Sequence, residues 1–84
     1  MEVEIKKFYP FYTHFHGGRI LGYADILIYK TIEIRGVRLL KNKYGGLYVQ
    51  MPRYEGREIV EIHSKELAET IRRKVVDFYK NSIV

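Results

Sequence analysis

Gly45-Gly46-Leu47-Tyr48-Val49-Gln50-Met51-Pro52 sets the register of the sheet predicted for this chain of 84 residues. The two glycines interrupt the chain after the strand-like run 31–40, and apolar residues then alternate with Tyr48 and Gln50 until Pro52. Alternation with a period of two is typical of a strand that has one apolar face. The pattern therefore predicts a β-hairpin whose second strand ends at Pro52.

The strand before this hairpin changes the parity of its apolar residues. Ile32 and Ile34 share one parity, whereas Val37 and Leu39 share the other. A β-bulge at Arg35-Gly36 would turn all four toward the core, and glycine is a residue that bulges favour. The residues then predicted to face outward are Glu33, Arg35, Arg38 and Leu40.

Two further strands are predicted before this one. Val3 and Ile5 alternate with charged residues, which indicates a first strand, and residues 8–16 are predicted to be irregular around Pro10. Residues 19–29 follow the loop at Gly17-Gly18 as a longer strand, and Lys30-Thr31 is short enough for a tight antiparallel turn. The outward residues of this longer strand are Tyr23, Asp25, Leu27 and Tyr29.

The C-terminal part predicts a short strand and a helix. A turn at 54–56 precedes a possible fifth strand over 58–62, and Ser64 is a suitable N-cap for a helix that runs to about residue 81. Val76 and Ile83 fall outside the apolar stripe of this helix and are predicted to touch a partner chain. The stripe consists of Leu67, Ala68, Ile71, Val75, Phe78 and Tyr79. The prediction is a single α+β domain over 1–84, an antiparallel sheet of four to five strands with one long C-terminal helix packed on it.

Composition and charge narrow the classes of function. The net charge is +5, and all of the excess lies in residues 30–57, which contain seven basic and two acidic residues. Such a local excess attracts polyanions or serves as a solvated face. The chain has no cysteine and no apolar run long enough to span a membrane, so we expect a soluble, cytoplasmic protein. No nucleophile, carboxylate pair or phosphate loop indicates an enzyme.

The segments 32–40 and 46–52 together resemble the SpoVG family (stage V sporulation protein G, the septation regulators). The family typically has Gly-Leu-Phe-Val-x-Met-Pro where this chain has Gly46–Pro52. It then continues, as this chain does, with an acidic-apolar strand, a histidine and a terminal helix. After Met51-Pro52 the family usually has a small residue and a basic cluster, whereas Arg53–Arg57 is shorter and contains Glu55.

The resemblance implies a small dimeric regulator that binds DNA or RNA, acts in gene regulation, septation or sporulation, and has no cofactor and no small-molecule substrate. Basic residues on turns are the first candidates for phosphate contacts, since few carboxylates compete there. The predicted nucleic-acid-binding residues are Lys41, Lys43, Arg53 and Arg57, helped by Arg35, Arg38 and Arg72. For the loop residues, a solvated surface remains the alternative.

Two other hypotheses come from the residues themselves. The outward sheet face, with Tyr23, Tyr29, Arg35, Arg38, Tyr48 and Gln50, either stacks bases or packs against another chain. In the second case the protein is a protein–protein interaction module that binds no nucleic acid. His14, His16 and His63 could chelate a metal, but no sulfur or cluster of carboxylates accompanies them, so no metal site is predicted.

Overall fold

The computed structural model describes residues 2–82, which form an antiparallel sheet with a helix packed on one face. The prediction of an α+β fold is confirmed. The main sheet has the spatial order β1-β2-β3-β4, so each strand lies beside the next one in the sequence. The elements are β1 (Val3–Phe15), β2 (Gly18–Ile28), β3 (Ile32–Asn42), β4 (Leu47–Gln50), β5 (Arg53–Tyr54), β6 (Arg57–Glu58) and α1 (Lys65–Ser82).

The core lies between the sheet and α1. Ala24 and Ile26 of β2, and Val37 of β3, are completely buried there against Ile71 of the helix. Val76 also belongs to this core and is only 7% exposed, so the predicted contact of Val76 with a partner chain is wrong. Ile83, the other residue of that prediction, lies outside the described residues.

The predicted bulge in β3 is confirmed. Ala24 pairs with Val37 and Ile26 pairs with Ile34, so Asp25 alone lies opposite two residues of β3. The second of the two is Gly36, which has a φ of +86°. Its N–H donates a hydrogen bond of 3.0 Å to Oδ1 of Asp25. The bulge therefore turns the apolar residues on both sides of it toward α1.

Two residues of β3 differ from the prediction in their exposure. Ile32 was expected in the core but is 57% exposed, because it is the first residue of β3, beside the β2–β3 turn at the end of the sheet. Leu40 does lie on the face away from the helix, yet it is only 2% exposed. Its cross-strand partners on that face are Ile20 and Tyr48. The uncovered face of the sheet thus contains a buried apolar residue of its own.

The predicted irregularity of residues 8–16 is wrong, since β1 continues to Phe15. Register shifts after Ile5 and after Pro10 break the regular alternation of its side chains. The strand therefore cannot be identified from an alternating sequence pattern. Pro10 is tolerated because β1 is an edge strand, where one side of the backbone needs no ladder hydrogen bonds.

The turn between β2 and β3 begins one residue earlier than expected. Tyr29, predicted to be the last residue of the strand, has a φ of +53°, and Lys30 has a φ of +54°. The N–H of Thr31 donates a 2.9 Å hydrogen bond to the carbonyl of Ile28, which closes the turn. Positive φ at both central residues is what a type I′ hairpin turn requires.

After β4 the chain departs from the prediction at the fifth strand. Only Arg57–Glu58 is a strand there, paired with Arg53–Tyr54 in a separate two-stranded hairpin, and residues 59–64 are in neither a strand nor a helix. The predicted N-cap is confirmed, because Oγ of Ser64 accepts a 3.1 Å hydrogen bond from the N–H of Leu67. Within residues 2–82, no helix has both the length and the apolar character needed to cross a membrane.

Candidate nucleic-acid interface

The seven predicted nucleic-acid-binding residues lie in several separate places. Two of them, Lys41 and Arg72, line the same cleft. Lys43 lies in the β3–β4 turn, whose Gly45 also lines that cleft. The remaining positions are the β5–β6 hairpin for Arg53 and Arg57, the β3 bulge for Arg35, and the outer sheet face for Arg38.

The cleft that Lys41 and Arg72 share lies between α1 and the ends of β2, β3 and β4, and its volume is about 470 Å³. We call it the basic cleft, because four cationic side chains and no carboxylate of residues 2–82 line it. Its remaining lining is apolar and aromatic. The cations are Arg19, Lys41, Arg72 and Lys80, and the other side chains are Tyr12, Leu21, Leu47, Val76 and Tyr79.

Arg72 is held in place by one carboxylate. Its Nε and Nη2 donate to the Glu69 carboxylate at 2.7–3.2 Å, and its Nη1 reaches the carbonyl oxygen of Leu47 at 3.5 Å. The hydrogen bond from Arg72 lowers the pKa of the Glu69 carboxyl, and the same bond raises the pKa of Arg72. Arg72 therefore links the helix to β4, and part of its charge is compensated.

The other three cations of the basic cleft are not compensated in this way. Among residues 2–82, the ion pairs join Arg35 to Glu33, His63 to Glu61 and Arg72 to Glu69. Arg19, Lys41 and Lys80 belong to none of these pairs. Like charges that share a cleft raise its positive potential, and a cleft with low-dielectric walls focuses that potential. The basic cleft is accordingly suited to hold an anion.

Arg19 and Tyr12 form a joined pair at the wall of the cleft. The Arg19 guanidinium donates to the Tyr12 hydroxyl oxygen, and its carbon lies 5.6 Å from the centre of the Tyr12 ring. Tyr12 is 58% exposed, so its ring is accessible to a ligand. Sequence reasoning missed both residues, because Tyr12 lies in the part of β1 that was expected to be irregular.

The β3–β4 turn beside the cleft is stabilised by Asn42. The Asn42 side-chain oxygen accepts hydrogen bonds of 2.9 Å from the N–H groups of Tyr44 and Gly46, and its backbone carbonyl accepts one of 3.0 Å from Gly45. These N–H groups are therefore used within the turn. Lys43, whose Nζ lies 5.2 Å from the centre of the Tyr44 ring, is the group of this turn that carries charge.

Arg53 and Arg57 occupy a surface on which carboxylates outnumber cations. They line one depression together with Glu55, Glu58 and Glu61. The Arg53 guanidinium donates to the Gly56 carbonyl across the hairpin turn, and Arg53 is the cross-strand partner of Glu58. Two arginines among three glutamates provide little net attraction for a phosphate group.

The outer face of the sheet carries the last two predicted residues. Tyr9, Tyr23, Arg38 and Gln50 are successive cross-strand partners across the four strands. Arg35 lies apart from this row, and its Nε bonds the Glu33 carboxylate at 2.9 Å, which raises the pKa of Arg35. The outer face thus combines aromatic rings with two cations that have no ion-pair partner among residues 2–82, Arg38 and Lys7, whose Nζ lies 4.9 Å from the centre of the Tyr9 ring.

The histidines do not form a metal site in the part of the chain that the structure describes, where no three His, Asp or Glu side chains are grouped for an ion. His14 contacts the ring of Tyr12 with a centroid distance of 5.8 Å, and His63 lies beside Glu61 at 3.4 Å.

Comparison of this chain with protein families, with curated proteins and with solved structures finds no match.

Proposed function

We propose that this protein binds nucleic acid and that its basic cleft makes the main contacts with phosphate. The observation that carries the proposal is the group Arg19, Lys41 and Lys80, three cations that converge on one cleft and have no ion-pair partner in the described part of the chain. The lysine of the adjoining turn, Lys43, extends this positive surface. Phosphate contacts made by such groups supply most of the sequence-independent affinity for nucleic acids.

The resemblance to the SpoVG family supports the same function independently of the cleft. It connects the segments 32–40 and 46–52 with small dimers that bind DNA and RNA. A dimeric state, a cytoplasmic location and a regulatory role in septation or sporulation depend on that resemblance and on composition, and they stay predictions.

A binding titration with charge-matched variants tests the proposal. Fluorescence anisotropy of labelled single- and double-stranded oligonucleotides of one sequence is measured at low salt. The double variant Lys41→Glu/Lys80→Glu reverses two charges in the cleft, and Arg53→Glu/Arg57→Glu reverses two charges in the β5–β6 hairpin. Both variants change the net charge equally, so a difference between them depends on where the charges lie. We expect the cleft variant to weaken binding by at least about tenfold more than the hairpin variant, because its two lysines make the proposed phosphate contacts.

Two results would contradict this proposal. If the unmodified protein binds neither oligonucleotide at low salt, nucleic acid is not its ligand. If the two double variants lose affinity equally, net charge or the hairpin accounts for binding and the cleft does not.

A protein–protein interaction module is the second candidate, and the outer sheet face favours it. Tyr9 and Phe11 on this face are 42% and 51% exposed, and the Phe11 ring packs on that of Tyr23 at 5.8 Å between centroids. A domain this small often gains stability by burying such a face against a second copy. Sedimentation of the protein and of Phe11→Asp tests self-association: a dimer that dissociates in the variant supports this interface, and a monomer in both excludes a homodimer through this face.

A further inference from the structure

We propose that the basic cleft is a nucleotide site, which takes a phosphate monoester attached to a planar base. This inference rests on the proposed function and specifies the part of a nucleic acid that the cleft would hold. Its volume of about 470 Å³ lies within the range of clefts that enclose small ligands. The ligand is either a free nucleotide or the phosphorylated end of a strand, which share the same chemistry.

The lining of the cleft has two chemically different parts. Arg19, Lys41 and Lys80 supply the charge for a phosphate group, and a monoester carries more negative charge per phosphorus than an internal diester. The floor is provided by the edge of the core, where Leu21 and Val76 are only 5% and 7% exposed. A bare inorganic anion would leave this apolar floor unused, whereas a nucleotide would contact both parts.

The Tyr12–Arg19 pair favours a planar group over an aliphatic one. The guanidinium lies near the tyrosine ring and is bonded to its hydroxyl, so the two side chains fix each other's orientation. Aromatic rings and guanidinium planes are the surfaces on which unpaired bases stack. Tyr12 is 58% exposed, so one base can stack on the part of its ring that Arg19 and His14 leave free, without displacing a core residue.

The positive charge of Arg19, Lys41 and Lys80 favours the binding of an anionic ligand in the cleft. Cations held in one cleft repel each other, and the repulsion is relieved when an anion enters. Three N–H groups of the neighbouring turn, those of Tyr44, Gly45 and Gly46, are already bonded to Asn42, so they do not compete with the side chains for the phosphate. The affinity for phosphate should therefore depend on the three side chains.

Isothermal titration of the full chain with 5′-AMP, adenosine and inorganic phosphate tests the site. We expect 5′-AMP to bind about tenfold more tightly than inorganic phosphate, the difference being the stacking of one base. Tyr12→Leu should remove this difference, and Lys80→Gln should weaken 5′-AMP and phosphate by the same factor. Lys74→Gln is the matched control on the same helix, because Lys74 lies outside the cleft. Amide NMR spectra establish that each variant is folded.

The two sources of the ligand are separated with one oligonucleotide prepared with a 5′-phosphate and with a 5′-hydroxyl. Tighter binding of the phosphorylated form, by about tenfold, assigns the site to strand ends. Equal binding of both forms, together with binding of 5′-AMP, assigns it to free nucleotides.

Several results overturn the inference. The first is that inorganic phosphate binds as tightly as 5′-AMP. The second is that O-phosphotyrosine binds as tightly as 5′-AMP, which would indicate a phosphopeptide ligand. If the oligonucleotide with a 5′-hydroxyl binds and 5′-AMP does not, the proposed function stands and the nucleotide site is wrong. Binding of 5′-AMP without any oligonucleotide binding would reject the proposed function alone.

Discussion

Replacing Gly22 by alanine tests how the sheet supports the floor of the basic cleft. A Cβ at position 22 would lie 2.5 Å from Cζ of Phe8 and 2.7 Å from the backbone oxygen of Tyr9. Ordinary contacts begin at 3.4 Å, so the Phe8 ring would have to retreat by about 1 Å. That ring packs against Phe78 and Tyr79 of α1 with centroid distances of 6.1 and 5.9 Å. Movement of Phe8 therefore reaches Tyr79, which lines the cleft.

The size of the effect is the difference between two terms. Overpacking of this kind costs about 1–3 kcal/mol, and removing a glycine from a strand returns about 0.5–1 kcal/mol. The difference spans about 0–2.5 kcal/mol, and the contact with the Tyr9 backbone oxygen cannot be relieved by moving a side chain. We therefore expect Gly22→Ala to lower the free energy of unfolding by about 1–2 kcal/mol, which corresponds to a fall in Tm of about 4–16 °C for a domain of this size. Urea unfolding followed by far-UV circular dichroism measures it, since the chain has no tryptophan.

A double-mutant cycle shows whether the Phe8 ring is the cause. Phe8→Leu removes the atoms that the new methyl group would meet, although the contact with the Tyr9 carbonyl remains. We expect Gly22→Ala to cost about 0.5–1.5 kcal/mol less in the Phe8→Leu background than in the unmodified protein. Strictly additive effects, or a Gly22→Ala variant as stable as the parent, would refute the reasoning.

Three further predictions concern the turn, the ion pair and the cleft. Lys30→Gly should raise the free energy of unfolding by about 0.5–1 kcal/mol, because the left-handed conformation costs an L-residue about 1–2 kcal/mol and the greater freedom of glycine in the unfolded chain offsets about 0.5–1 kcal/mol of the gain; urea unfolding measures it. Arg72→Ala should raise the pKa of the Glu69 carboxyl toward its ordinary value in an NMR titration. Because folding lowers that pKa, the pair's contribution to stability is present above the ordinary pKa of the carboxyl and is lost as the pH falls through the folded value. Lys41→Gln should flatten the dependence of log K on log salt for a single-stranded oligonucleotide by about 0.7, and an unchanged slope would mean that Lys41 contacts no phosphate.

Local patterns in the sequence were sufficient for much of the fold. The parity change between Ile34 and Val37 indicated the bulge, and Ser64 indicated where the helix begins, because both signals lie within a few residues of the feature. The continuation of β1 past Pro10 was not predictable in the same way. Its register shifts move successive side chains out of a strict alternation, so a strand resembles an irregular segment.

The basic cleft was beyond such reasoning for a different reason. Tyr12, Arg19, Lys41 and Lys80 come from β1, β2, β3 and α1, so their proximity depends on the pairing of the strands and on the position of the helix. Charge counting located the positive excess in residues 30–57, but two of the three cations, Arg19 and Lys80, lie outside that segment. The cations that lie together in the folded chain are therefore mostly not those that cluster in the sequence, and only Lys41 belongs to both groups.

The two candidate surfaces lie on opposite sides of one sheet, which makes their functions separable. Lys41 lines the cleft on the helix side, and its neighbour Leu40 lies on the outer face, because successive residues of a strand alternate between faces. A second copy packed on the outer face would leave both clefts open on the two far sides of the dimer. Such a dimer would join two nucleic-acid segments and would gain avidity only for ligands that reach both clefts. Phe11→Asp should then reduce the affinity for a long oligonucleotide and leave that for a short one unchanged, whereas Lys80→Gln should weaken both.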